Sequence, residues 1–242
     1  MTTTCPTRDL PPTLAEGDPT ASLLAMDPTV ALVPLRAPGE GKSRLADVLD
    51  PEQRAALSVA MLDDVAASLA AAGLPDIVLV AGGQAAAMAG RDLGLDVLLD
   101  PAGCRGLDDA LAAASRRIGH HRHILIVAAD LPRLRPDDVQ GVLEPDAEVV
   151  IAPTAAGGTG ALLRRPAAVI GTAYGPGSAI AHRALAVASG ARAACVDRDG
   201  IHHDVDTFTD LVALTEVELG PATAAVLPQL LGPHPLRRQP VG

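Results

Sequence analysis

Three aspartates occupy positions where their carboxylates could meet at one edge of a sheet. Asp130 ends the apolar run 123–129 and is followed by Leu-Pro, so a buried strand would hold its carboxylate rigidly. Asp204 and Asp206 stand on alternate residues, which point the same way in extended backbone. Two carboxylates ~4 Å apart repel by about 4 kcal/mol at an effective dielectric of 20, so three of them require a cation or partial protonation. Because carboxylates are preferred ligands of Mg²⁺, the pattern predicts a divalent-metal site that bridges phosphates.

These aspartates also have structural alternatives. Asp130 could cap the turn that follows it. Asp206 or Thr207 could cap the helix that contains Asp210. Capping and metal binding can share one loop, so both interpretations stay open.

A cationic loop follows the first apolar run of this acidic chain. It carries Arg36, Lys42 and Arg44. The letters Gly-Lys-Ser at 41–43 suggest a P-loop, but Arg36 stands where that motif needs Gly, and Pro38 removes a backbone donor. Three cations at the carboxyl end of a strand could still bind a triphosphate. The alternative is a solvated basic turn.

Two glycine-rich turns, 157–160 and 175–178, offer backbone donors to an anion. The second opens a segment of helical pattern, with Ser178 as a cap and ligand candidate and His182 one turn later. His182 and His203 lie beside these motifs and are better suited to orienting hydrogen bonds than to acid-base work. Short glycine turns are commonly only turns, so each motif is weak by itself.

The elements that position these residues alternate between short apolar runs and longer amphipathic ones. That alternation is typical of parallel strands joined by crossover helices, and it predicts an α/β fold. The predicted strands are Thr29 to Leu35, Asp76 to Ala81, Asp96 to Leu99, His123 to Ala129, Glu148 to Ala152, Gly160 to Leu163 and Ala193 to Val196.

The clearest helix begins after Asp50. Asp50 can cap it, Pro51 suits its first turn and Gln53 can close a capping box. Apolar residues then recur at helical spacing, and Gly73 can end the helix. We expect its opposite face to present Asp63 or Asp64 to water.

Length and composition favour one folded domain and exclude several partners. The 242 residues are 48% hydrophobic and only 1% aromatic, so a large aliphatic core is possible but stacked platforms for nucleic-acid bases are not. A net charge of -10 would repel a nucleic-acid polymer or an anionic membrane. We assign the folded domain to residues 28–227 and expect the Pro- and Gly-containing segments 1–27 and 228–242 to be poorly ordered.

The cysteines and the hydropathy pattern favour a cytoplasmic protein. Cys5, Cys104 and Cys195 are scattered and lack CxxC spacing, which indicates neither a disulfide framework nor a zinc site. We find no secretory leader pattern and no apolar run approaching ~20 residues.

From about Val30 to Leu211 the chain resembles the guanylyltransferases that make the lactyl- or enolpyruvyl-diphosphoguanosine intermediate of coenzyme F420. The resemblance rests on an ordered set of modest motifs: Lys42-Ser43-Arg44-Leu45, Met61-Leu62-Asp63-Asp64, Asp130-Leu131-Pro132, the run from Gly157 to Leu163, Gly175-Pro176-Gly177-Ser178 with His182, and Asp204-Val205-Asp206-Thr207 with Asp210-Leu211.

The resemblance implies a nucleotidyltransferase fold, Rossmann-like and GT-A-like, with a mixed, mostly parallel sheet flanked by helices. It implies GTP and a small phosphorylated acid, phosphoenolpyruvate or 2-phospho-L-lactate, as substrates, Mg²⁺ as cofactor, and functional coupling to the next transferase of the F420 pathway. The implied site residues are Asp130, Lys42 and Arg44 for catalysis, Asp130, Asp204 and Asp206 for the metal, Arg36, Lys42, Arg44 and Asp108 for the nucleotide, and Thr159, Gly160, Gly175 and Ser178 for the acid.

The chain departs from the family pattern at two positions. Asp108 stands where many members carry Asn, and Gly160 stands where others carry Asn or Thr. A related transferase with a sugar-phosphate or molybdopterin acceptor, or a nucleotide-binding module without turnover, remains an alternative.

Overall fold

The computed structural model describes residues 29–36, 38 and 42–232. Seven strands in this range form one sheet, and each matches a strand predicted from the sequence to within a few residues at its ends. The strands are β1 (Val30–Leu35), β2 (Ile77–Ala81), β3 (Asp96–Leu99), β4 (Ile124–Val127), β5 (Val149–Pro153), β6 (Thr159–Arg164) and β7 (Ala193–Cys195).

The sheet has the order β3-β2-β1-β4-β6-β5-β7. Strand β6 runs antiparallel to both of its neighbours, β4 and β5, and the other pairings are parallel. The chain first builds outward from β1 to β3 and then returns to place β4 on the other side of β1. Ligands of open α/β sheets bind where the strand order reverses in this way, so the topology points to the carboxyl ends of β1 and β4.

The helices of the described range cover both faces of this sheet. They are α1 (Pro51–Ala71), α2 (Gln84–Asp92), α3 (Leu107–Ile118), α4 (Pro136–Leu143), α5 (Ser178–Ser189), α6 (Asp199–His202), α7 (Phe208–Ala213) and α8 (Pro221–Leu231).

Strand side chains alternate between two buried layers. Ala31 and Val33 pack with α1, whereas Val30 and Leu32 pack in the layer that contains residues of α3 and α5. Since both faces are buried, the central strands read as continuous apolar runs. The mixed, mostly parallel α/β fold predicted from the sequence is confirmed.

Helix α1 has the predicted start and end. Asp50 accepts a hydrogen bond from the Gln53 amide, the Gln53 side chain accepts one from the Asp50 amide, and Gly73 follows the last turn with a φ of 92°. A left-handed residue is the common ending of a helix, and glycine adopts it without strain.

The expectation that Asp63 or Asp64 faces water is wrong for Asp64, which is 4% exposed. Its carboxylate accepts hydrogen bonds from the amides of Ala222 and Thr223, at 2.9 and 2.8 Å, and so satisfies the first turn of α8. A Cβ on Gly220 would lie only 2.1 Å from the Asp64 Cγ, so glycine is needed where the two helices meet.

The predicted folded domain ends too early. Residues 228–231, assigned to the tail, belong to α8, and Leu227 is part of a third buried cluster that joins α1, α7 and α8. The rest of the tail and the predicted extension 1–27 lie outside the described residues. Within the described range no single helix could span a membrane, and only the bent pair 208–216 and 221–231 reaches the required length and hydropathy together.

Candidate active site

A cleft of about 630 Å³ opens at the carboxyl ends of the four adjacent parallel strands. Its lining includes Arg36 after β1, Gly82 after β2, Asp100 after β3 and Asp130 after β4. It coincides with the strand reversal between β1 and β4, where an α/β sheet binds ligands.

Lys42 lies at the centre of the charged part of this cleft. Its ammonium is 3.0 Å from Asp130 Oδ2 and 3.9 Å from Asp206 Oδ1, and it donates a hydrogen bond to the carbonyl of Val205. The lysine side chain is 8% exposed. The structure therefore joins the loop after β1, the loop after β4 and the segment before α7 through one cation.

The backbone of Lys42 is strained. Its φ of 54° and ψ of 45° are left-handed, and among the described residues no other non-glycine residue has a positive φ. This conformation costs roughly 1–2 kcal/mol for a residue with a Cβ. The contacts of the ammonium offset that cost, and strain of this kind is typical of functional loops.

Lys42 is also the only lysine in the sequence, in which every other strong cation is an arginine. An ammonium is compact and donates in three directions, whereas a guanidinium is planar and larger. The isolated lysine is a sequence signal that marks this position.

The third carboxylate, Asp204, is electrostatically coupled to this group. Burial, followed by the negative charges of Asp130 and Asp206, raises the pKa of Asp204, while Lys42 opposes the shift. Val205, between the two aspartates, is 1% exposed and packs in the cluster that joins α1, α7 and α8. Burial of Val205 thus fixes the segment that carries both carboxylates.

Asp130 and Asp206 contact one ammonium, and Asp204 lies near enough to feel their charges, so this region carries excess negative charge. Oxygen ligands of this kind fit Mg²⁺, which would relieve the repulsion that, after burial, raises the pKa of Asp204. Among the described residues, however, no three acidic, histidine or cysteine side chains are already arranged to enclose a metal ion. The ammonium of Lys42 lies between Asp130 and Asp206 instead, and magnesium binding stays a prediction.

The capping alternative at this segment is confirmed for Thr207. Thr207 caps α7, and its amide and hydroxyl both donate to Asp210 Oδ2, at 2.7 and 2.8 Å. Burial would raise the pKa of Asp210, but the hydrogen bonds from Thr207 and Asp206 together lower it. Capping by Thr207 leaves the carboxylate of Asp206, which lines the cleft, without a capping role.

The three cations predicted to bind the nucleotide do not all lie in the cleft. Arg36 and Lys42 line the cleft, whereas Arg44 is exposed on the short 3₁₀ turn Ser43–Leu45 and does not line it. That turn follows the backbone reversal at Lys42 and directs Leu45 into the core instead. Residues 37 and 39–41 of this loop lie outside the described residues.

Two of the residues predicted to bind the phosphorylated acid, Thr159 and Ser178, belong to a buried hydrogen-bond network at the β6 side of the cleft. Ser178 Oγ donates to Thr159 Oγ1 at 3.1 Å, and Thr159 Oγ1 is 2.9 Å from His182 Nδ1. The backbone amide of Ala173 donates to His182 Nε2 at 2.9 Å. Thr159, Ser178 and His182 are all buried, and Thr159 also lines the cleft.

His182 is neutral at ordinary pH. Burial lowers its pKa to about 4, although the Coulombic effect of Asp108 opposes the shift. Since Nε2 accepts from Ala173, the neutral ring must carry its proton on Nδ1 and donate it to Thr159. The tautomer is therefore fixed by the backbone.

The two predicted glycines have different surroundings. Gly160 is buried in β6, where a Cβ would lie 2.5 Å from Ile201 Cγ2, and its carbonyl accepts from Ala128. Contact with Ile201 leaves no room for a side chain at Gly160. Gly175 has a φ of 141°, and its carbonyl accepts from the Ser178 amide at the start of α5.

Asp108 does not line the cleft. Its carboxylate accepts a hydrogen bond from the amide of Tyr174 at 3.0 Å, which ties the first turn of α3 to the loop before α5. Tyr174 lines the cleft, and its ring lies edge-on to His182 with 4.9 Å between centroids. The structure thus gives Asp108 a part in positioning Tyr174, and its predicted contact with the nucleotide stays a prediction.

The sequence interpretation missed Asp100. This residue ends β3, lines the cleft and precedes Pro101. Burial raises its pKa, and its Oδ1 atom is buried with no hydrogen-bond partner in the described part of the chain. The available signal was a strand ending in aspartate with a nearby proline, which is the pattern that identified Asp130.

The fold is the mixed α/β fold that solved nucleotidyltransferases adopt. A protein of Desulfovibrio desulfuricans G20, proposed to be a nucleotide-diphospho-sugar transferase, superposes with a TM-score of 0.68 over 85% of this chain and 99% of its own, at 18% identity. A nucleotidyl transferase of Methanothermobacter thermautotroptrophicus gives 0.59 over 79% and 97%, at 16% identity. At these identities the likeness establishes the fold alone.

Sequence comparison identifies the family within that class. The sequence model of the protein family described as "Guanylyl transferase CofC like" matches residues 29–220. The chain is 37% identical to the phosphoenolpyruvate guanylyltransferase of Nocardia farcinica, over 81% of this chain and 89% of the relative. It is also 37% identical to the enzyme of that name from Streptomyces avermitilis, over 84% and 96%. The protein belongs to the CofC-like guanylyl transferase family, as the resemblance predicted.

Proposed function

We propose that this protein transfers GMP from GTP to a small phosphorylated acid, with release of pyrophosphate. Phosphoenolpyruvate is the preferred acceptor and 2-phospho-L-lactate the second, so the product is the diphosphoguanosine intermediate of coenzyme F420 synthesis. The observation that carries the proposal is the Lys42–Asp130–Asp206 group in the cleft of a chain whose relatives are named phosphoenolpyruvate guanylyltransferases.

The reaction needs charge neutralisation more than a base. A phosphate oxygen of the acceptor attacks the α-phosphorus of GTP in line; the new P–O bond forms as the bond to pyrophosphate breaks. A phosphomonoester is mostly dianionic at pH 7, so the nucleophile is already ionised. The main obstacle is the repulsion between two polyanions.

Lys42 supplies a fixed positive charge where the phosphates would meet. Its ammonium has three donors, of which Asp130 and the Val205 carbonyl take two. The third is left for a phosphate oxygen, and Arg36 lines the same cleft as a second cation. Donors held in place before the reaction stabilise developing charge without reorganisation.

Mg²⁺ would be held by Asp130, Asp204 and Asp206. When bound it would offset the charge of the triphosphate. The three carboxylates provide hard oxygen ligands, and their excess charge over one lysine favours a divalent cation.

The Thr159 hydroxyl is arranged to donate to the acceptor acid. Its oxygen accepts from Ser178 and from His182 Nδ1–H, so both of its lone pairs are used. Its own proton is then free for the cleft that Thr159 lines. We infer that it donates to a phosphate or carboxylate oxygen of the acceptor, next to the backbone turn at Gly175.

Pyrophosphate release tests the proposal. The protein is incubated with Mg²⁺, one nucleoside triphosphate and either phosphoenolpyruvate or 2-phospho-L-lactate, and Asp130→Asn serves as the inactive control. Release is expected only with GTP and faster with phosphoenolpyruvate. If pyrophosphate is released only when a sugar phosphate or molybdopterin is present, the proposed acceptor is wrong. If the protein binds GTP but releases no pyrophosphate under any condition, it is a nucleotide-binding module without turnover. Cytoplasmic location and coupling to the next transferase of the pathway stay predictions.

A further inference from the structure

Asp100 places a carboxylate at the end of the cleft formed by β2 and β3. Its amide donates to the carbonyl of Ala81 at 3.0 Å, and Pro101 restricts the backbone that follows. Its side chain lines the same cleft as Lys42 and also borders an adjoining hollow of about 280 Å³. The backbone of Asp100 is therefore fixed at the edge of the sheet, and the residue borders open space.

One oxygen of this carboxylate lacks a donor. Oδ1 is buried, and no hydrogen bond to it is found within the described residues. A buried acceptor without a partner is unfavourable, and natural proteins rarely retain one unless a ligand, ion or water completes it. Burial also raises the pKa of Asp100.

The surroundings suit a flat, partly apolar ligand. Val80, Leu107 and Ala110 line this part of the cleft, and Gly82 leaves its floor free of a side chain. A Cβ at Gly82 would lie 3.2 Å from the Arg36 Cα and 3.8 Å from Asp100 Oδ2, in the space between them. A planar base could lie there with one polar edge toward Asp100 and its phosphates toward Lys42.

We propose that Asp100 selects guanine by accepting hydrogen bonds from its N1–H and 2-amino groups. Among the four common bases only guanine offers two adjacent donors to a carboxylate. Adenine presents the N1 lone pair instead, cytosine pairs one donor with an acceptor, and uracil flanks its N3–H with two carbonyls. A fixed carboxylate therefore favours guanine and repels the others.

This inference rests on the proposed function, since it names the base-selecting residue of that reaction. Asp100→Asn is tested with GTP and with xanthosine triphosphate, because an amide can donate to the 2-oxo group of xanthine while its oxygen accepts from N1–H. We expect kcat/KM for GTP to fall about 100-fold, the effect of two lost charged hydrogen bonds, and kcat/KM for xanthosine triphosphate to rise above that of the wild type. Asp96→Asn, exposed at the other end of β3, is the matched control and should follow the wild type.

The gain with xanthosine triphosphate cannot arise from misfolding, so it separates base selection from a structural role. A variant that uses GTP within about threefold of the wild type overturns the inference. A variant that melts like the wild type but is inactive with both nucleotides also overturns it. If the wild type itself shows no turnover, the proposed function fails, and calorimetric binding of the two nucleotides to both proteins then decides the role of Asp100 separately.

Discussion

The region around Lys42 and the region around Thr159 both border the cleft, but they hold their polar groups differently. At Lys42 one ammonium contacts the carboxylates of Asp130 and Asp206, with Asp204 close by, so negative charge there is in excess and partly exposed. At Thr159 neutral groups donate and accept in sequence, and Ser178, His182 and the Ala173 amide all have partners. The first region carries unbalanced charge, whereas in the second the hydroxyl proton of Thr159 is the polar group left for a ligand.

This difference assigns the two regions to different parts of the proposed reaction. Excess charge is useful where polyphosphate and a cation must be bound together, since the ligands then remove the repulsion. A satisfied neutral network is useful where a small acid must be oriented, because its hydroxyl donor is fixed before binding. We expect changes at Lys42 to affect turnover and changes at Thr159 to affect mainly acceptor binding.

The largest effect is expected from Lys42→Met. Removing the only cation within the carboxylate group should lower kcat/KM by about 10³-fold, a loss typical of a group that stabilises transition-state charge. Steady-state pyrophosphate release measures it, with circular dichroism to confirm folding.

Lys42→Arg tests whether positive charge alone is sufficient at this position. Its guanidinium keeps the charge but does not fit the compact, 8% exposed position between Asp130 and the Val205 carbonyl, so we expect no rescue. Arg44→Met should cost much less, because Arg44 lies outside the cleft lining. Equal losses at Lys42 and Arg44 would mean that the cleft is not the site of charge neutralisation.

Acid should lower the stability that the hydrogen-bond network of Thr159, Ser178 and His182 gives to the fold. The pKa of His182 is about 4 in the folded protein and near 6.5 when unfolded, so between these values the unfolded chain binds the extra proton. The free energy of unfolding should therefore fall as pH is lowered from about 6.5 to 4, by as much as about 3 kcal/mol, and the contribution is fully present above 6.5.

Urea unfolding between these pH values measures the effect. His182→Gln removes the titration, so the difference in slope between the two proteins isolates His182 from the carboxylates that titrate in the same range. An unchanged slope in the variant would show that His182 is not the group held neutral.

The sequence predicted the strands and most of the charged site for one physical reason. Long apolar runs must be buried, and the residue at the end of each buried strand is then fixed at the edge of the sheet. Asp130 follows from this reasoning, as do Asp204 and Asp206 from their alternation around Val205. The prediction depends on local pattern alone.

Features set by distant contacts could not be read in this way. Asp64 looked solvent-facing because its partners, the amides of α8, lie about 160 residues later in the chain. The contact of Gly160 with Ile201, which excludes a side chain there, also comes from a distant part of the chain. Arg44 has the same residue type as Arg36, and only the strained turn at Lys42 sends it away from the cleft.

The smallest effect, and the most specific, is expected from Thr159→Val. Valine keeps the shape but removes the hydroxyl that we expect to donate to the acceptor acid. KM for phosphoenolpyruvate should rise about 10- to 30-fold, while KM for GTP and kcat change little, as expected when a ground-state contact is lost. Thr159→Ser restores the donor and should restore KM, which a purely structural role for the methyl group would not allow. If Thr159→Val instead lowers kcat and leaves KM for the acceptor unchanged, the neutral region acts in the chemical step and the division between the two regions is wrong.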